Sequence, residues 1–529
     1  MLQLPAIFSD DMVLQRGKNI AVWGETDRAF VSLSFAGQTV HAVVKNGTFQ
    51  AFLAPMDAGG PYELQVRAFD DSKDGAVCEE IIYRNIMMGE VWLAGGQSNM
   101  ELELQNSKDG KELVKNIQND RLRYYYTPKV AWVGDPLYEA EADSHWELCS
   151  PETAGRWSAV AYYFAEKLAG ELDVTVGIIG CNWGGTSASC WVGRETLEND
   201  KTISKYIEEY DQIVAEQDPE EHIKAREAYL VYQAEFDKNV GHYYETAENP
   251  TWGEALELFG ECQYPGPMGP RSEFRPCGLY ETMIERILPY TLAGFLYYQG
   301  EEDDHRPYTY YELLSGLIRQ WRRDWQDDTL PFLLVQLPMF QNEGEADYQN
   351  WPFVREAQMR VFQTMKNTGI AVILDQGEYA NIHPVKKDIV GTRLADQALC
   401  QVYGRKKDTE VYGPLYRSYR IDGNRMILTF DYAEQGIRCT ADQLTGFEIA
   451  GADQQYYPAE ASIQGNEVTI TSNEVARPVY GRYCWTNYRE VTLYGNNQMP
   501  MAPFRTSRWD GAIATGSRNG WEFSDPEEQ

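Results

Sequence analysis

Short apolar strands alternate with turn signals over residues 1–85. The apolar runs fall at 20–23, 30–35, 39–44 and 62–66, parted by Gly24-Glu25-Thr26-Asp27, Ala36-Gly37 and Lys45-Asn46-Gly47. Asn-Gly is the strongest short-range hairpin signal, so this part reads as a small β-sandwich. From 86 to about 405 the rhythm changes to strands alternating with helices, which predicts a parallel sheet covered on both faces and an α/β fold. Strands are expected at 86–93, 174–179, 292–298, 331–337 and 369–375. Helices are expected at 159–168, with Ser158 as cap, at 308–325 and at 351–365. After about 406 the β-pattern returns at 425–432, 446–449, 467–471 and 480–485, predicting a second β-sandwich-like domain over 406–529 with a polar tail after Asp510.

An insertion interrupts the sheet at about 196–285. Ile203, Tyr206, Ile207, Tyr210, Ile213 and Val214 recur at helical spacing, and Asp218-Pro219-Glu220-Glu221 opens a second helix to about Phe236. The resulting helical hairpin joins the strand-end face. It either walls a cleft, contacts a second copy in a homo-oligomer, or decorates the surface. The stretch 249–276, rich in Gly and Pro, is expected to be loop.

Length and charge narrow the picture. A chain of 529 residues exceeds one core, so several domains are required. A formal net charge of −33 repels nucleic acid and anionic membrane surfaces, and both are discarded as partners. The 14 Trp and 35 Tyr suit either sugar-gripping rings along a cleft or ordinary packing. Nine scattered Cys without a C-x-x-C pair point to free thiols. The opening Met1-Leu2-Gln3-Leu4-Pro5 lacks a signal-peptide pattern, and no stretch approaches the ~20 apolar residues of a membrane span. A cytoplasmic product is expected, although removal of a leader would look the same.

The chemistry centres on Gly95-Gly96-Gln97-Ser98-Asn99-Met100, where two glycines stop the strand ending at Leu93 and turn the backbone. A serine just past such a stop is presented as a nucleophile, or else caps a helix. The G-x-S-x-G pattern of the nucleophile elbow is not met, because Met100 takes the place of its second glycine. A serine needs a base, and the six histidines are 41, 145, 222, 242, 305 and 383. Only His383 follows a core strand by a short loop, and Pro384 after it suggests a helix mouth on the cleft side. Ester hydrolysis also needs donors for an oxyanion. The Ser98 N–H, a glycine of Trp183-Gly184-Gly185-Thr186 and the side-chain amide of Tyr298-Gln299-Gly300-Glu301 offer three. The run Glu301-Glu302-Asp303-Asp304-His305 invites a cation, but adjacent side chains point apart and cannot chelate alone, so no metal or other cofactor is expected.

Gly96-Gln97-Ser98-Asn99-Met100-Glu101, Tyr298-Gln299-Gly300-Glu301 and Asn381-Ile382-His383-Pro384, with Phe8 to Arg16 and Met499 to Thr506 at the two ends, resemble the SGNH-type carbohydrate acetylesterases of the sialate O-acetylesterase kind. The resemblance spans nearly the whole chain and thins at the insertion. It implies an SGNH-like (flavodoxin-like) catalytic domain over 86–405. It also implies Ser98 as nucleophile, His383 as base, and an oxyanion hole from Ser98, Gly185 and Gln299. Two departures matter. Relatives often carry an Asp two or three residues before the histidine, where this chain has Asn381 and Ala380. Either Asn381 or a backbone carbonyl orients a Ser-His dyad, or Glu301, Asp375 or Glu378 reaches the imidazole from a neighbouring strand end. Where relatives continue Tyr-Gln-Gly-Glu with Ser-Asn, this chain has Glu302-Asp303-Asp304, which makes the cleft more negative.

The expectation is a serine esterase that removes O-acetyl groups from a carbohydrate. A neutral xylo- or manno-oligosaccharide fits the charge better than an anionic sialate, unless Arg194 or Arg306 reverses the preference. The rival is a carbohydrate-binding protein whose catalytic motifs have weakened.

Overall fold

The structure, a computed structural model, describes residues 1–70, 75–247, 252–260, 262–514, 517–518 and 521–522. The strand Val77–Gly96 runs through two sheets. Its first half pairs antiparallel with Gly59–Phe69, Met87 to Gly89 pair in parallel with Val13–Gln15, and the buried second half enters the central sheet. The boundary expected at residue 85 therefore falls inside one unbroken strand.

The central sheet runs in the order Thr368–Val372, Phe332–Gln336, Gly294–Tyr298, Val77–Gly96, Val176–Asn182, Asn119–Tyr126, Trp146–Cys149. Every neighbouring pair is parallel except the last. The four strands Val176–Asn182, Gly294–Tyr298, Phe332–Gln336 and Thr368–Val372 are buried at every position, as parallel strands covered on both faces must be. This is the α/β architecture expected. The Ala159–Leu172 helix packs on Lys387–Gln401, and Tyr310–Asp324 packs on Asn350–Thr364. Ser158 caps its helix as expected, its hydroxyl accepting from the Ala161 N–H at 3.1 Å. Asn119–Tyr126 and the edge strand Trp146–Cys149 beside it are not legible in the sequence, because Asn119, Asp120, Arg121 and Arg123 break the apolar run that marks a core strand.

The Asn46-Gly47 turn forms, with Asn46 and Gly47 both at positive φ. Its flanking strands do not stay partners, however. Gln38–Val43 pairs with Phe30–Phe35, whereas Thr48–Leu53 pairs with Ile20–Glu25, so the turn carries the chain from one sheet to the other. In the insertion, Asp218 accepts from the N–H groups of Glu220 and Glu221, opening a helix that runs from Pro219 to Thr246, past the expected stop at Phe236. Part of the expected loop 249–276 is helical at Trp252–Phe259, because residues 252, 255, 256 and 259 keep an apolar helical spacing ahead of the Gly/Pro-rich stretch. Residues 248–251 and 261 of that loop lie outside the described residues.

The C-terminal strands build two antiparallel sheets, Leu415–Asp422/Arg425–Asp431/Glu467–Thr471/Glu460–Gln464 and Tyr456–Pro458/Phe447–Ala450/Tyr480–Tyr483/Phe504–Arg505. Tyr416 stacks on Phe504 between them, ring centroids 4.6 Å apart. Arg355, fully buried, fastens this part to the central sheet by donating to the carbonyls of Leu337, Pro338, Thr486 and Asn487. Burial pushes its pKa down to about 9, so carbonyl dipoles rather than a carboxylate hold that charge. Among the described residues, no helix is long and apolar enough to cross a membrane.

Candidate active site

Register sets the site. Asn182 and Tyr298 are both opposite Gly96, so the ends of three adjacent parallel strands lie at one level. Ligands of such sheets gather at strand C-terminal ends. Gly96 sits at φ +138, and a Cβ there would stand 2.1 Å from the Tyr298 carbonyl oxygen. Only glycine lets the chain turn this close to its neighbour. Gly96→Ala is therefore expected to push the turn off the sheet, destabilising the fold by about 2 kcal/mol or more and removing most activity. Urea unfolding together with an esterase assay checks it.

Past the turn, Gln97 fixes the strand ends to each other. Its N–H donates to Tyr298 O at 3.1 Å, and its Oε1 accepts from the Glu302 N–H at 3.1 Å. Ser98 opens a single helical turn, Ser98–Glu101. The loop after Val176–Asn182 comes back against it. A Cβ on Gly184 would lie 3.3 Å from Ser98 Cβ, and the Gly184 N–H is taken by the Glu101 carboxylate, which also pairs with Lys129. Gly185 adopts φ +70, and its carbonyl accepts from the Tyr264 hydroxyl at 2.7 Å. Among the described residues, the N–H groups of Ser98 and Gly185 have no protein acceptor.

His383 comes from the loop between Thr368–Val372 and Lys387–Gln401 and meets the serine directly, with Nε2 and Ser98 Oγ 2.8 Å apart. Pro384 is not in the first helical turn as expected. It lies ahead of Lys386, which occupies the cap position. His383 keeps an exposed surface, yet protein atoms crowd around the ring. That desolvation, with the Lys387 charge second, pushes its pKa down to about 4.

No carboxylate among the described residues bonds Nδ1. Asp375 is held by Arg393 through two bonds of 2.6 and 2.8 Å. Glu378 accepts from Asn381 Nδ2 at 2.7 Å and from the Val385 N–H. Glu301 accepts from Asn99 Nδ2 at 2.6 Å. Asn381 acts on the backbone instead, its Oδ1 accepting from the His383 N–H at 3.1 Å.

Gln299 is also placed differently from the expectation. Its amide gives one hydrogen to Thr186 O at 3.2 Å and the other to Asp303 Oδ2 at 2.6 Å, leaving none for an oxyanion. Asp303, expected to add charge to the cleft, is instead fully buried. It gathers Gln299, the Ser187 hydroxyl, the Ala188 N–H and Tyr206 of the insertion. Asp304 is likewise buried and accepts from the Trp351 indole. Of the three acids only Glu302 reaches the rim, where Tyr264 bonds it at 3.0 Å. The supporting roles of Glu101, Asp303 and Tyr264 are not legible in the sequence, because each acts from a position with no nucleophile or base signature. A cavity of about 1300 Å³ lined by Phe8, Trp23, Tyr138 and Arg286 lies elsewhere and includes neither Ser98 nor His383 nor any residue of the 298–301 turn.

The parallel sheet carrying these motifs, with β-rich parts on either side, makes the chain an SGNH-type α/β protein, and its relatives are carboxylic ester hydrolases. It belongs to the family described as carbohydrate esterase, sialic acid-specific acetylesterase, which matches residues 88–251 and 271–399, more than half of the chain. The unmatched gap falls within the insertion, where the resemblance thins. The sialate O-acetylesterase of Mus musculus is 26% identical over 539 residues, covering 93% of this chain and 92% of that protein. The Homo sapiens sialate O-acetylesterase is 24% identical over 543 residues, covering 94% and 91%. The crystal structure of a carbohydrate acetylesterase from Xanthomonas citri superposes with a TM-score of 0.75 at 29% identity, covering 96% of this chain and 100% of that one.

Proposed function

We propose that the chain is a serine esterase that removes O-acetyl groups from carbohydrates. The observation that carries this reading is the 2.8 Å contact between Ser98 Oγ and His383 Nε2, two residues 285 positions apart. In the first half-reaction Oγ attacks the acetyl carbonyl carbon while Nε2 takes its proton, and that proton then passes to the departing sugar oxygen as the C–O bond breaks. Water next attacks the acetyl-enzyme with Nε2 again as base, releasing acetate and restoring the Ser98 hydroxyl. The unclaimed N–H groups of Ser98 and Gly185 are the oxyanion donors in this scheme. Gln299 acts behind them by holding Thr186, the residue after Gly185. With no acid on Nδ1, Ser98 and His383 work as a dyad.

The substrate proposed is a neutral acetylated oligosaccharide of the xylan or mannan type. Glu302 puts an acid on the rim, and the two arginines singled out from the sequence are already paired, Arg194 with Glu198 and Asp211, Arg306 with Glu209. Neither is left to greet a sialate carboxylate. Acetate release across acetylated xylo-oligosaccharides, manno-oligosaccharides and sialates tests this. The neutral sugars are expected to be the better substrates by kcat/KM. Faster release from sialate would replace the substrate, and release from none would sink the acetylesterase reading.

A further inference from the structure

One side chain spans the two turns that supply the dyad. Asn99 follows Ser98 directly and is fully buried. Its Nδ2 gives one hydrogen to the carbonyl of Ile382, the residue before His383, at 2.8 Å, and the other to Glu301 Oε1 at 2.6 Å. Its Oδ1 accepts from the Lys387 ammonium. An amide can sit in either of two orientations, and the wrong one would set Oδ1 against the Ile382 oxygen. An ammonium can only donate and a carboxylate can only accept, so Lys387 on one side and Glu301 on the other admit a single orientation.

We infer that Asn99 is a positioning residue that holds the Ile382–His383 segment at hydrogen-bond distance from Ser98, and that Lys387 and Glu301 lock its amide for that purpose. The inference rests on the Ser98–His383 reading above. The placement of Lys387 supports it. This lysine is 1% exposed and is the first residue of the Lys387–Gln401 helix, where burial and the positive end of the helix dipole both disfavour a cation. Burial pushes its pKa down and that of Glu301 up, while the attraction between the two charges opposes both shifts and favours the ammonium–carboxylate pair. A well-packed apolar side chain would cost less at position 387. What an apolar residue cannot do is choose between the two faces of the Asn99 amide. The Tyr298 ring, 5.3 Å from the ammonium, and the Glu301 charge offset part of the cost.

The test is steady-state hydrolysis of p-nitrophenyl acetate by full-length Asn99→Asp, Asn99→Ala, Glu301→Leu and Glu301→Gln, with thermal melts of each. Asn99→Asp keeps the shape but turns the donor into an acceptor facing two oxygens. Both Asn99 variants are expected to lower kcat at least ~30-fold with KM within ~3-fold of the parent, the signature of a misplaced dyad rather than a damaged binding surface. Glu301→Leu removes the acceptor and is expected to lower kcat ~10-fold, while Glu301→Gln, which can still accept from Nδ2, returns it to within ~3-fold. Asn99 variants whose kcat stays within ~3-fold of the parent, or a Glu301→Gln as slow as Glu301→Leu, overturn the inference. If the Asn99 variants fail to fold, the Glu301 pair decides. Full activity in Ser98→Ala would instead remove the dyad reading itself, so the two failures are distinguishable.

Discussion

Ser98→Ala is expected to hydrolyse p-nitrophenyl acetate at no more than ~10⁻³ of the parental rate while melting within a few degrees of it. The rate falls because acyl transfer needs an atom that bonds to the carbonyl carbon, and the hydroxyl at 98 is the one that the imidazole touches. Water activated by His383 can still attack, and the oxyanion donors remain, which is why a residue of activity survives. The fold is spared because the lost group is one oxygen on the open side of the turn. What holds the turn is Gly96, the Gln97 bonds to Tyr298 and Glu302, and the Glu101 bond to Gly184. Measured initial rates and melts of both proteins check it. Equal, background-level rates from parent and variant would favour the rival reading of a carbohydrate-binding protein with weakened catalytic motifs.

What the sequence disclosed and what it hid divide along physical lines. The central strands were legible because parallel strands buried on both faces are written as continuous apolar runs, as in Gly294–Tyr298 and Phe332–Gln336. Asn119–Tyr126 was not, since its first three residues, Asn119 to Arg121, are polar and face solvent at least in part, and only the stretch after them is buried. Ser98 and His383 were legible as residues because their chemistry demands those types after strand ends. Their meeting was not, since register between strands decides it, and register is a long-range property. The acids at 302–304 show the limit most clearly. In one dimension three consecutive carboxylates read as a negative cleft, whereas the short 3₁₀ turn Glu302–His305 buries Asp303 and Asp304 and leaves only Glu302 at the rim. Gln299 was drawn away from its expected role by the same turn, because Asp303 claims its amide.

His383→Gln is expected to lower kcat by ~10²–10⁴-fold, the usual worth of a positioned general base, and the intact protein carries a pH signature that identifies why. The working form of the base is the neutral imidazole, so activity is lost as that ring takes up a proton. In a triad a carboxylate on Nδ1 favours the charged ring and raises its pKa. Here nothing among the described residues bonds Nδ1, burial disfavours the charged ring, and the Lys387 charge adds to that effect, so the pKa moves down toward about 4. The sign follows: as pH falls through the ordinary histidine value near 6.5, kcat/KM should hold, and its acid limb should be centred below about 6. Lys387→Met, by removing the cation, should move that limb upward while leaving the larger effect of burial in place. A pH profile of kcat/KM for p-nitrophenyl acetate, taken over the range in which the fold is intact by circular dichroism, reads both. A limb at or above 7 in the parent would mean that a carboxylate reaches Nδ1 in the working enzyme. Glu378 is the nearest such candidate along the chain, already tied to the same loop through Asn381 and Val385, and the dyad would then have to be rewritten as a triad.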